Sequence, residues 1–178
     1  MAQQINKGVI IIMHYSGLKE IDSTNGIGVG VSLFVSGCNH HCKGCFNPET
    51  WNFSNGKPFT EDTMLTLIDL IDRDYIDFFS VLGGEPYDEQ NIDTVIEIVS
   101  EVRNINPNIK IFSWSGFTFE ELSLREKAYK LMSLCDYLID GEFEIDKKDL
   151  NLQLRGSSNQ RVIDLKKSLA DDKVVVYS

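Results

Sequence analysis

Three cysteines lie within eight residues, Cys38-Asn39-His40-His41-Cys42-Lys43-Gly44-Cys45, and they restrict the chain more than any other feature. Cysteines this close in sequence make no sensible disulfide framework, and nothing marks the chain as secreted, so they read as a metal site. The C-x3-C-x2-C spacing lets three thiolates hold three irons of a four-iron, four-sulfur cluster. The fourth iron is then left without a protein ligand. An open iron can bind and reduce a small molecule, which a fully ligated electron-transfer cluster does not offer. Thiolates also serve zinc, and His40 and His41 keep a Cys3His site in view. Zinc modules, however, usually carry a second C-x2-C pair downstream, and this chain has none. Otherwise the two histidines are loop residues or donors to cluster sulfurs. The fourth cysteine, Cys135, follows a helical pattern and reads as a buried core thiol.

The chain has 178 residues, 42% of them apolar and 25% charged, which suggests one domain (1–178) with a real core. No run of about 18 apolar residues predicts a membrane span. The apolar run Val9–Met13 is too short for a signal sequence and lacks its flanks. A cytoplasmic location is the resulting expectation. A formal net charge of −10 argues against a nucleic-acid backbone as main partner. The pairs Lys147-Lys148 and Lys166-Lys167 read as solvated faces.

Strand and helix signals alternate. Val29–Val35 is β-branched and apolar, reads as a strand, and leads straight into Ser36-Gly37 and the cysteine loop. Thr60 caps a predicted helix carrying Met64, Leu67, Ile68 and Ile71 on one face. Phe78–Leu82 is a short buried strand closed by Gly83-Gly84. Ile92, Val95, Ile96, Val99 and Val102 mark a second helix, ended at Asn106-Pro107, and Ile109–Ser113 a further strand. Thr118 and Glu121 form a capping box for one helix running to about Leu134, followed by a strand over Tyr137–Ile139. Arg161–Leu165 and Val174–Tyr177 are candidate edge strands.

This alternation predicts an α/β fold with a mostly parallel sheet. Ligands in such folds bind beyond the carboxyl ends of the strands. The cysteine loop, Gly83-Gly84-Glu85, Ser113-Trp114-Ser115-Gly116 and Asp140-Gly141 each follow a predicted strand, so they should converge on one edge. In Gly83-Gly84-Glu85-Pro86 the glycines allow backbone to approach a ligand closely, and the carboxylate can hold an ammonium group. The run Gly26-x-Gly28-x-Gly30 is no dinucleotide fingerprint, because it precedes a strand.

The cysteine spacing together with Gly83-Gly84-Glu85-Pro86 resembles the radical S-adenosylmethionine (SAM) enzymes, in which G-G-E-P recognises the amino group of the cofactor's methionine portion. Further motifs narrow the resemblance. Leu33–Cys38 and Cys45-Phe46-Asn47-Pro48-Glu49-Thr50-Trp51, Asp140-Gly141-Glu142-Phe143 and Gly156-Ser157-Ser158-Asn159-Gln160-Arg161 are similar to elements of the anaerobic (class III) ribonucleotide reductase activating proteins. The likeness runs from about Ile21 to Leu169. One departure is clear: that family commonly has N-G-P-G and then an arginine, where this chain has Asn25-Gly26-Ile27-Gly28 and Gly30.

The resemblance implies an open, partial β/α barrel of the radical SAM type. It implies that Cys38, Cys42 and Cys45 ligate a [4Fe-4S] cluster whose fourth iron is chelated by SAM. Gly44, Cys45 and Phe46 become candidate adenine-side contacts, and Gly83, Gly84 and Glu85 candidate contacts to the methionine end. Ser113 and Asp140 are candidates by strand-end position only, and Trp51 and Trp114 are candidate aromatic flanks. The implied reaction is one-electron cleavage of SAM, with a flavodoxin-like protein as electron donor. The 5′-deoxyadenosyl radical so formed takes a hydrogen atom from a glycine of the reductase large subunit. Competing readings are an activase of another glycyl-radical enzyme such as pyruvate formate-lyase, a small radical SAM enzyme acting on a metabolite, and a non-catalytic zinc or iron–sulfur module.

Overall fold

The structure, a computed structural model, describes residues 13–177; of the run Val9–Met13 only Met13 lies among them, and it is buried. The strands are β1 (His14–Asp22), β2 (Gly30–Val35), β3 (Lys57–Pro58), β4 (Phe78–Gly83), β5 (Lys110–Trp114), β6 (Tyr137–Asp140) and β7 (Arg161–Asp164). The helices are α1 (Glu61–Ile71), α2 (Ile92–Ile105), α3 (Phe119–Ser123), α4 (Glu126–Leu134) and α5 (Leu165–Asp171). One sheet runs in the order β3-β1-β2-β4-β5-β6-β7. Its four central strands, β2, β4, β5 and β6, are parallel, while β1, β3 and β7 run antiparallel to their neighbours. The fold is therefore α/β with a mixed sheet that is not closed, β3 and β7 being its two edges.

Side chains alternate across a strand, and here the alternation separates two tasks. Val31, Leu33 and Val35 of β2, Phe79 and Val81 of β4, Ile111 of β5 and Leu138 of β6 join one buried cluster with Leu67, Ile71, Val95, Ile98, Val99, Val102, Leu131 and Met132 from the helices. Full burial of each such side chain is worth about 1.5–3 kcal/mol. On the opposite face, Phe78, Phe112, Ile139 and Val162 form a smaller cluster, with Trp114, Tyr137 and Leu154 against it.

Three elements depart from the sequence expectation. The first is β1, whose polar sequence HYSGLKEID gave no clean alternation. Its pairing with β2 shifts register between Tyr15 and Gly17 and again between Lys19 and Asp22, which breaks the period of two. The second is the helix expected from Thr118 to Leu134, which is two helices. The capping box at Thr118 and Glu121 is present, but Arg125 is extended (φ −110, ψ 119). Its guanidinium donates to the Tyr87 carbonyl at 2.6 Å and to Glu89 at 2.9 Å and sits over the Phe117 ring, so tertiary bonds interrupt a segment that has no proline or glycine. The third lies at the C-terminus. Arg161–Asp164 is the expected edge strand, but Leu165 already begins α5. Val174–Tyr177 touches β7 through a single bridge, Ile163 to Val176, and is not a strand.

Candidate functional site

The carboxyl ends of the parallel strands open into a cavity of about 460 Å³, in the usual range for a small-molecule site. Cys38, Cys42, Cys45, Phe46, Gly83, Gly84, Glu85 and Trp114 all line it. Phe34 of β2 and Leu82 of β4 supply its floor from the face opposite the helices. The predicted convergence of the cysteine loop, the Gly83–Pro86 turn and the turn after β5 is thus observed.

The cysteine loop leaves β2 through Gly37, whose φ of +100 favours glycine and whose added Cβ would strike the Phe53 ring. Backbone bonds from Gly37 N to Thr50 O (2.7 Å) and Cys38 N to Trp51 O (3.2 Å) pin both ends of the loop. The Gly83–Pro86 turn lies directly against it: Gly84 N donates to Val35 O and Glu85 N to Gly37 O, both at 2.8 Å. A Cβ on Gly84 would meet Gly37 O at 2.6 Å, so the approach itself demands glycine there. Asn91, buried at the start of α2, staples the two segments by donating to the carbonyls of Ser36 and Glu85, each at 3.0 Å.

All three thiols are partly exposed and none is in a disulfide. Burial and the neighbouring Glu85 charge push the Cys38 thiol up to about 11. Burial, Glu142 and Cys45 also raise Cys42. A bound metal cation draws off thiol protons, so the raised Cys38 and Cys42 thiols can still serve as its ligands. Among the described residues, no three His, Cys, Asp or Glu side chains group around one ion position. A tetrahedral zinc requires such convergence, with sulfur at about 2.3 Å. In a four-iron cluster each thiolate meets its own iron, and Cys38, Cys42 and Cys45, all lining this cavity, supply three such ligands.

Glu85 is only 1% exposed. Its Oε1 accepts from Tyr87 N (3.0 Å) and Ser115 Oγ (2.9 Å), and its Oε2 accepts from Gly116 N (2.8 Å). The fourth partner is His40, with Nε2 2.9 Å from Oε2. The other ring nitrogen, Nδ1, lies 2.8 Å from Glu142 Oε1. The hydrogen bond that the ring donates to Glu85, opposed by burial and supported by Glu142, raises His40 to about 9. His40 therefore ties the Gly83–Pro86 turn to the Asp140–Phe143 segment, a link with no signature in the sequence beyond the histidine itself.

The two C-terminal motifs form one unit. Gln160 donates to Gly141 O (2.9 Å) and accepts from Gly156 N (2.9 Å) and Ser157 N (3.2 Å), while Asn159 donates to Glu142 O (2.8 Å). They hold Phe143 against Phe46, with ring centroids 4.9 Å apart. A Cβ on Gly156 would meet the Phe46 ring at 2.6 Å, so a glycine is required beneath the pair. Leu150, Leu152 and Leu154 of the same segment continue the cavity wall.

Other candidates fall elsewhere. Gly44 (φ +75) packs on Ile145 and supports the loop from outside the cavity wall. Trp51 stacks on His41 at 4.6 Å. Ser113 is buried and bonded to the Tyr87 hydroxyl at 2.7 Å, and Asp140 is bound by Arg161 and Phe119 N; both fix the frame. Cys135 is buried, as expected of a core thiol, and burial raises it to about 12. Gly30 lies against Phe78, whose carbonyl a Cβ would meet at 2.3 Å, so the family's arginine could not stand at this position without moving β4.

Comparison with known proteins agrees with this geometry. The family of 4Fe-4S single cluster domains matches residues 24–163. The anaerobic ribonucleoside-triphosphate reductase-activating protein of Escherichia coli K12 is 38% identical over 154 residues, covering 84% of this chain and 97% of that protein. The proteins of the same name from Enterobacteria phage T4 (37% over 150 residues; 84% and 93% covered) and Vibrio cholerae (39% over 150 residues; 83% and 96%) are similarly related. The chain belongs to the family of anaerobic ribonucleoside-triphosphate reductase-activating proteins.

Proposed function

We propose that this protein is a radical SAM activase that installs a glycyl radical on the large subunit of an anaerobic ribonucleoside-triphosphate reductase. The observation that carries the proposal is the shared cavity. Three thiols on one loop and a Gly-Gly-Glu turn face the same 460 Å³ space, in a chain whose relatives bear that activating protein's name. Cys38, Cys42 and Cys45 would hold a [4Fe-4S] cluster. When bound and reduced, the cluster supplies the electron that cleaves the SAM sulfonium bond.

The chain's own residues do the remaining work of a cofactor enzyme, which is to position and to exclude. Gly83 and Gly84 bring backbone close to the methionine end, and Glu85 sets the charge there. Phe46, backed by Phe143 and Gly156, offers a flat apolar face to the adenine. The sheet, read as a partial β/α barrel, leaves the cavity open on one side, which suits a macromolecular substrate whose glycine must reach in. The chain would act as a single domain in the cytoplasm, with a flavodoxin-like protein as electron donor. No helix among the described residues is long and apolar enough to cross a membrane.

The test is SAM cleavage by the anaerobically reconstituted protein under a strong reductant. The proposal expects methionine and 5′-deoxyadenosine in equal amounts. A fully loaded cluster that leaves SAM intact would sink it.

A further inference from the structure

We infer that His40 is a positioning residue for the cofactor's ammonium group: it holds the last acceptor site of Glu85 and yields that site when the ammonium binds. This rests on the reading that SAM occupies the cavity.

A carboxylate offers about four acceptor positions. Glu85 has four donors within 3.0 Å, two on each oxygen, so no position is free for a ligand. An ammonium can bind this carboxylate only by replacing a donor. Three of the four are built in. Tyr87 N belongs to the same turn as Glu85. Ser115 and Gly116 belong to the turn after β5, which is fixed by Ser115 N donating to Ile139 O at 2.9 Å. Ser115 also donates through a side chain, but its hydroxyl is held in turn by accepting from Phe117 N at 3.1 Å, whereas His40 reaches Glu85 on a longer side chain from the cysteine loop.

Leaving Glu85 does not strand the ring. Nδ1 keeps Glu142, whose side chain is 57% exposed and able to follow. A second cavity of about 150 Å³, lined by Asn39, His40, Glu85, Asp88 and Phe117, adjoins the ring and gives it room to shift. Gly116 has no side chain to obstruct it, and a Cβ there would strike the ring at 2.6 Å. The incoming ammonium brings three donors to a buried carboxylate in place of the single N–H that the ring directs at it.

The decisive experiment compares ligand binding to the reconstituted full chain and its His40→Ala variant by anaerobic equilibrium dialysis, with iron content measured alongside. Vacating the site should tighten SAM roughly tenfold and leave 5′-methylthioadenosine, which lacks the ammonium, unchanged. Equal tightening of both ligands, or no tightening of SAM with iron intact, overturns the exchange. Should the variant fail to load iron, a SAM-bound crystal structure of the unaltered protein decides. His40 Nε2 beyond hydrogen-bond reach of Glu85 supports the exchange, and a retained bond overturns it. Failure of the unaltered, cluster-loaded protein to bind SAM would instead defeat the cofactor reading itself.

Discussion

On the helix side of the sheet, Val31, Leu33 and Val35 of β2 meet Phe79 and Val81 of β4 in one core, each of them fully buried. One residue along each strand, on the other side, Ser32, Phe34, Ser80 and Leu82 face the cavity side. There polar groups are held one by one: Ser32 bonds Asp22 at 2.6 Å and Ser80 bonds Asn25 O at 2.5 Å. The first face is held by area removed from water, which tolerates exchange of one apolar side chain for another of similar size. The second adds to a smaller apolar cluster a set of directed bonds between loops distant in sequence, where losing one partner leaves a buried group unsatisfied. Stability and chemistry are therefore carried by alternate residues of the same strands, and substitutions should separate them.

The largest separation is expected at Cys42. Cys42→Ala should abolish SAM cleavage while the thermal melt stays close to that of the unaltered, cluster-free protein. Retained cleavage with an intact cluster would remove Cys42 from the ligand set. The opposite extreme is Ile98, fully buried in α2. Ile98→Ala should cost about 2–5 kcal/mol of unfolding free energy, read by denaturant titration, with iron content per folded molecule unchanged. A selective loss of iron would mean that the two faces are not independent.

Asn91 lies at the seam, since it ties the cysteine loop to the Gly83–Pro86 turn. Asn91→Ala should lower stability by about 1–3 kcal/mol and also slow iron loading, a joint effect that neither face alone predicts. The smallest effect is electrostatic. Burial acts to raise Asp22, but bonds from Lys19, Ser32, Thr24 and Asn25 overcome it and hold the carboxyl well below its ordinary 3.8. A depressed carboxyl stabilises the fold above its unfolded value and loses that contribution as pH falls through the folded one. The stability difference between the unaltered chain and Asp22→Asn should thus be constant from neutral pH to about 5 and shrink in stronger acid. A difference that grows on acidification would contradict the assignment.

The helix-side face was largely legible in the sequence, because burial on one side of a helix or strand leaves a period: Leu67 and Ile71 in α1, or Val95, Val99 and Val102 in α2. Leu70, also buried, extended the α1 stripe beyond the residues the pattern named. On the cavity face, motif recognition found Cys38, Cys42, Cys45 and Gly83–Pro86. It did not find Asn91, or the link from Glu85 through His40 to Glu142. Those bonds join residues 45 and 102 positions apart and leave no periodic trace. The break at Arg125 escaped for the same reason, its cause being the Tyr87 carbonyl 38 residues away. Gly156-Ser157-Ser158-Asn159-Gln160 was recognisable as a motif, while its physical task, clamping Gly141 and Glu142 over the cavity, required the structure.

The central claim is that this cavity makes a radical for delivery to a protein glycine. The most direct measurement is electron paramagnetic resonance on the reconstituted protein mixed anaerobically with SAM, a reductant and the large subunit of its anaerobic ribonucleotide reductase. A glycine-centred radical on the large subunit, absent when Cys42→Ala replaces the unaltered chain, is the predicted result. SAM cleavage that proceeds with the partner present and never yields that signal would contradict the account.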